Sequence, residues 1–231
     1  MNDIVILKKN SILRYLPKEL EKEQLLIFDA LRISAEMIEH DYNQLKNMLE
    51  VVSKPKNKRG ESIIFKYAWG VIDSTSRFVR LYKKLPSDSN YEILDKIDIL
   101  NPFRNTIQHL DERINESLIQ NNSPFFGILI WNYKNNEVKP YLLVSGIKYG
   151  LNVSFRYPDI NSLKNGVNDI QLQTVNKKEI IQINLSQLVE DLTNVLDELD
   201  RHLVKQFGAK GLERVDWKHH KDIIISIKSK Q

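Results

Sequence analysis

From about Pro17 to Val52 the apolar residues fall every three or four positions: Leu20, Ile27, Leu31, Ala35, Ile38, Tyr42, Leu45, Leu49 and Val52. That step puts them on one stripe of a helix. Roughly 36 residues at 1.5 Å each give an element about 50 Å long. A helix of this length needs a partner along most of its course. Phe28 and Met37 fall off the stripe, which predicts contact on more than one side. Ser53 to Gly60 holds a proline, a glycine and four basic residues and reads as a turn. A second stripe, Ile64, Ala68, Val71, Thr75, Phe78, Tyr82 and Leu85, predicts a helix over 61–85, antiparallel to the first because the connection is short. The run Pro86-Ser87-Asp88-Ser89-Asn90 stops it, and Tyr91 to Leu100 reads as a short helical segment. A third long helix is expected over 102–121, through Leu110, Ile114 and Leu118, to the stop at Asn121-Asn122-Ser123-Pro124.

At Pro124 the period changes. Phe125 to Trp131 is a β-type run, Tyr133 to Asn136 a polar turn, and Val138 to Val144 a partner strand. Leu151 to Tyr157 alternates at period two, and Ile170 to Val175 with Ile180 to Leu185 predicts a hairpin around Asn176-Lys177-Lys178. Asn161 to Asn168 reads as a loop. The helical period returns near 186–206 with Leu188, Leu192, Val195, Leu199 and Leu203, capped by Ser186 or Asn184 and ended by Gly208. Asp222 to Ile227 has the pattern of one more strand. The fold class expected is α+β: a helical bundle with long antiparallel helices, plus a small, mostly antiparallel sheet inserted before the last long helix. The corresponding divisions are a bundle over 1–123, a β insertion over 124–185, and the last helix with a terminal strand over 186–231.

The stretch with most chemistry is Asn101-Pro102-Phe103-Arg104-Asn105-Thr106-Ile107-Gln108-His109. Asn101 suits a helix N-cap and Pro102 the first helical position. Asn105 and His109, four apart, share a face, and the flexible stem of Arg104 brings its guanidinium alongside. An amide-rich helix start, a guanidinium and an imidazole together suit a bound phosphate.

Arginine, a polar Asn, three residues and then His resembles the Arg-x4-His motif of the HEPN family, the higher-eukaryote-and-prokaryote nucleotide-binding helical domains. The resemblance covers the helical part of the chain. It implies a metal-independent endoribonuclease of the toxin–antitoxin or phage-defence type, in which the 2'-hydroxyl of RNA attacks the adjacent phosphodiester. On that reading His109 manages the hydroxyl proton, Arg104 stabilises charge on the phosphate, and Asn105 orients the His or binds a phosphate oxygen. It implies no cofactor and no metal, RNA as substrate, a homodimer that brings two motif copies together, and an antitoxin or defence protein as a further partner. The alternative is a non-catalytic HEPN-like module that binds RNA, a nucleotide or a partner protein. A plainer reading also stands, with the charges of Arg104 and His109 satisfied by Asp111 and Glu112 at a solvated helix start. Arg214 and His219 repeat the spacing without the polar residue after Arg and without an N-cap, so that match is read as accidental.

Composition narrows the alternatives. The 231 residues contain no Cys, which removes disulfides, thiolate metal sites and cysteine nucleophiles. No apolar run approaches the ~18 residues of a membrane span, and Ile4-Val5-Ile6-Leu7 before Lys8-Lys9 is too short for a signal-peptide core. A cytoplasmic chain without a membrane contact is expected. There is no glycine-rich phosphate loop. His219-His220 near Asp216 and Asp222 lacks the spacings of a metal site. The net charge of +4 permits an anionic partner. Arg77, Arg80 and Lys84 recur at helical spacing and make the RNA-binding stripe expected here, whereas Glu190, Asp191, Asp197, Glu198 and Asp200 make the last helix acidic. The aromatic residues Trp69, Trp131, Trp217, Phe125 and Phe126 read as core.

Overall fold

The computed structural model describes residues 3–17, 20–54, 62–85, 94, 100–109, 124, 126–145, 163–176 and 179–207. The expected strands over 151–157 and 222–227, the segment 91–100 apart from Leu94 and Leu100, and the metal and Arg214–His219 alternatives lie outside them. The fold is α+β. The α-helices α1 (Lys22–Ser53), α2 (Ile63–Tyr82), α3 (Asn101–Gln108) and α4 (Leu185–Phe207) accompany the strands β1 (Ile128–Lys134), β2 (Val138–Val144), β3 (Gly166–Asn176) and β4 (Glu179–Asn184). The sheet is antiparallel throughout, in the order β2-β1-β3-β4.

The first helix buries Leu31, Ala35, Ile38, Tyr42, Leu45 and Leu49, the stripe that its periodicity marks. It begins at Lys22 rather than Pro17, because the Gln24 side chain reaches back to accept from the Glu21 amide at 3.1 Å and fixes the start there. Phe28 is buried on a second side, whereas Met37 is 41% exposed. The chain ahead of the helix is laid along it by polar side chains. Asn43 binds both backbone groups of Ile4, Glu39 accepts from the amides of Ile6 and Leu7, and Arg14 meets Glu36. Residues 12–14 form a 3-10 turn whose start is held by Asp200, which accepts from Ser11 Oγ and the Ile12 amide, both at 2.8 Å.

One hydrophobic core runs from this segment through α1, α2, α3 and α4 and takes in Leu129, Trp131, Val167, Ile170, Leu172 and Ile183 from the sheet. The C-terminus of α1 is tied to the sheet by Trp131 Nε1, which donates to Ser53 Oγ at 2.9 Å, and by Tyr141 Oη, which donates to the Ser53 carbonyl. The stretch expected to be a loop up to Asn168 is already strand from Gly166. β3 carries a bulge, since Ile130 faces Gln171 and Asn132 faces Asn168, leaving Asp169 and Ile170 opposite Trp131. Asp169 takes the left-handed conformation there (φ 51°), and Gln171 and Asn184 donate to its carboxylate. Asn184, not Ser186, caps α4 by accepting from the Gln187 amide at 3.0 Å. Ser186 Oγ instead accepts from Tyr42 Oη and from the Ile170 amide. Among the described residues no helix is long and apolar enough to cross a membrane.

Candidate functional site

The element that carries the candidate residues is shorter than its sequence predicts. Eight residues make too short a helix to persist alone in water, so α3 depends on its attachments. Phe103 is 3% exposed in the common core, a burial that contributes roughly 1.5–3 kcal/mol. Thr106 is 1% exposed, and its hydroxyl donates to the Pro102 carbonyl of its own helix at 3.0 Å and to the Val175 carbonyl of β3 at 3.3 Å. Two inward residues three apart therefore fix which way the helix faces.

The outward side follows from that anchoring. Asn101, Asn105 and His109 are exposed, and Arg104 is half-buried about 100° round the helix from Asn105. Asn105 and His109 are linked along the backbone as well, the His109 amide donating to the Asn105 carbonyl at 3.1 Å. Three expectations are corrected. Asn101 is the first helical residue and not the cap, because the backbone is already αR at Leu100, which is buried at 1%. The helix expected over 102–121 ends at Gln108, with His109 as its C-cap (φ −118°, ψ 43°). His109 consequently lies at the carbonyl end, not beside the amides of the first turn, and the helix start cannot share one phosphate with it across about 12 Å.

The basic stripe divides in the same way. Arg77 is exposed on α2 but ion-paired with Asp73 one turn earlier. Arg80 is exposed, and its Nε donates to the Ser76 carbonyl at 3.4 Å. Lys84 lies beyond the end of α2 at Tyr82 and is exposed. Trp69 and Trp131 are core residues whose indole N–H groups donate to the Phe126 carbonyl and to Ser53.

Two features were not anticipated. The carboxyl of Asp41 is pushed above its ordinary value by burial, against the opposing pull of His40 and Lys66. It fills a notch on α2 that exists because residue 70 is glycine: a Cβ there would lie 2.2 Å from Asp41 Oδ2. An open groove of about 750 Å³ is lined by Lys8 and Asn10 and by Asp197, Asp200, Arg201 and Lys205 of α4. Its charges are largely engaged by the chain itself, Lys8 with Asp197 and Asp200 with the 3-10 turn. Among the described residues no three His, Asp or Glu side chains gather as a metal site would require. Comparison with family models, with curated proteins and with solved structures finds no match to this chain.

Proposed function

We propose that this chain is a HEPN-like, metal-independent endoribonuclease acting in the cytoplasm, with Arg104, Asn105 and His109 as its catalytic group. The observation that supports this reading is the exposure of Asn105 and His109, with the half-buried Arg104 beside them, on a helix whose inner side is anchored by Phe103 and Thr106. In the reaction the 2'-oxygen forms a bond to phosphorus as its proton passes to the His109 imidazole. The bond from phosphorus to the 5'-oxygen breaks, and that oxygen leaves as a hydroxyl after taking up a proton. The products are a 2',3'-cyclic phosphate and a 5'-hydroxyl. Arg104 stabilises the crowded phosphorane with two parallel N–H donors, which a lysine would not replace. Asn105 orients the imidazole or binds a phosphate oxygen. Arg77, Arg80 and Lys84 hold the RNA backbone. A two-fold homodimer near α3 supplies the second motif copy, and an antitoxin or defence protein is the expected regulator.

The test is cleavage of a mixed RNA pool by wild-type protein, Arg104→Ala and His109→Ala. Each substitution is expected to lower the rate by ~10²–10⁴-fold, with wild-type activity surviving EDTA and Arg214→Ala/His219→Ala leaving it unchanged. Light scattering should report a dimer. The second reading, a non-catalytic module for RNA, nucleotide or protein, draws on the same exposed Asn105 and His109. Wild-type protein that cuts no RNA, or His109→Ala that cuts as fast as wild type, decides for the module.

A further inference from the structure

Threonine and serine hydroxyls that bond back to the carbonyl four residues earlier are common in this molecule. Ser34, Thr75 and Thr193 do so at 2.8 Å. Thr106 differs from them in having a second acceptor on another element. Its hydroxyl has one proton to give, and two carbonyls face it, Pro102 O at 3.0 Å and Val175 O at 3.3 Å. The carbonyl of its own helix is the nearer acceptor and that of β3 the longer, second one. The contact spans 69 residues of sequence and joins α3 to the end of β3, beside the β3–β4 turn.

We infer that Thr106 is the positioning residue of the α3 site: its shared hydroxyl fixes the rotation and height of α3 against β3, and with them the placement of Arg104, Asn105 and His109. The inference rests on the nuclease reading above. Arg104 and Asn105 directly precede Thr106, and His109 follows by three residues, so a small rotation about this point moves all three groups. Phe103 holds the helix to the core through burial, which is non-directional. The hydroxyl adds a directional constraint.

The experiment compares wild type, Thr106→Val, which keeps the shape and removes the donor, and Thr106→Ser, which keeps the donor. RNA cleavage is followed as kcat and KM, and hydrogen exchange is followed by peptide. Thr106→Val is expected to lower kcat about 10–100-fold, the scale of an ångström of misplacement, with KM within about twofold. Exchange should quicken about tenfold in residues 101–108 and stay unchanged in α1 and α2, as for loss of one hydrogen bond. Thr106→Ser should return kcat to within about threefold of wild type. Thr106→Val that cleaves at the wild-type kcat overturns the inference while leaving the nuclease reading intact. Thr106→Ser as impaired as Thr106→Val overturns it too, because the methyl and not the hydroxyl would then matter. Exchange that quickens throughout the chain assigns the hydroxyl to global stability and also overturns it. Wild-type protein that cuts no RNA removes the nuclease reading, and the positioning role with it.

Discussion

The seam between the N-terminal segment and α1 and α4, and the short helix α3, are both rich in polar side chains but use them in opposite ways. Along the seam the charges are engaged within α1 and between α1, α4 and the N-terminal segment. Glu36 accepts from both Arg14 and Arg32, Arg32 also reaches Asp29, Glu39 holds two backbone amides, and Asp200 holds the 3-10 turn. On α3 the elements are joined by Phe103 and one threonine hydroxyl, while Asn105 and His109 face outward. The difference teaches where to look for chemistry. A charge engaged across a seam has already given its interaction energy to the fold. Polar groups on the outward side of an anchored element, such as Asn105 and His109, are instead presented at the surface.

The sharpest way to break this comparison is to exchange the expected effects. Glu36→Ala should lower stability by roughly 2 kcal/mol, since it strips an acceptor from Arg32, whose side chain is only 11% exposed. RNA cleavage by the variant at a permissive temperature should be unchanged. Urea unfolding with an unaltered midpoint would show that the seam is ornamental. Cleavage that falls with stability intact would place chemistry on the wrong side of the molecule.

A smaller effect tests how the sheet is joined to α1. Burial pushes the Tyr42 hydroxyl up to about 12, so it stays protonated and serves as the donor to Ser186 Oγ at 2.9 Å. Tyr42→Phe removes that donor and should cost about 1 kcal/mol. The Ile170 amide still donates to Ser186 in the variant. A cost above about 3 kcal/mol would mean that this one bond holds the bulge at Asp169 in place.

The long stripe of α1 and the shift of period at Pro124 were legible because each rests on many residues repeating one spacing. The N-terminal segment was not, because its buried residues, among them Ile6, Leu7, Leu13 and Leu16, follow no period and single polar side chains set its path. The end of α3 at His109 was hidden too: Leu110, Ile114 and Leu118 continue the helical spacing, yet the backbone leaves the helix before them. The start of β3 was misread since Asp169, a residue tolerated in the left-handed region, sits inside a strand as a bulge. At the site, residue types and spacing singled out Arg104, Asn105 and His109. Thr106 carried no signal of its own, because its second acceptor belongs to a strand 69 residues away.

The smallest effect concerns Asp41, a carboxylate of α1 that faces α2 rather than the N-terminal segment or α4. Burial raises its pKa above the ordinary 3.8, and the attraction of His40 and Lys66 only partly offsets this. A raised carboxyl binds its proton more tightly in the folded chain than in the unfolded one. Its contribution to stability is therefore full below 3.8 and is lost as pH rises through the raised value. At neutral pH the ionised group is a net burden on the α1–α2 contact, with its oxygen in the Gly70 notch. Asp41→Asn keeps the shape and removes the ionisation. It should be slightly more stable than wild type at pH 7 and lose that advantage as pH falls toward 4, with screening by solvent keeping the difference small. Urea midpoints for both proteins from pH 4 to pH 8 provide the check. A variant less stable than wild type at pH 7 would mean that His40 and Lys66 outweigh desolvation, and that Asp41 belongs with Glu36 among the fully engaged charges of the fold.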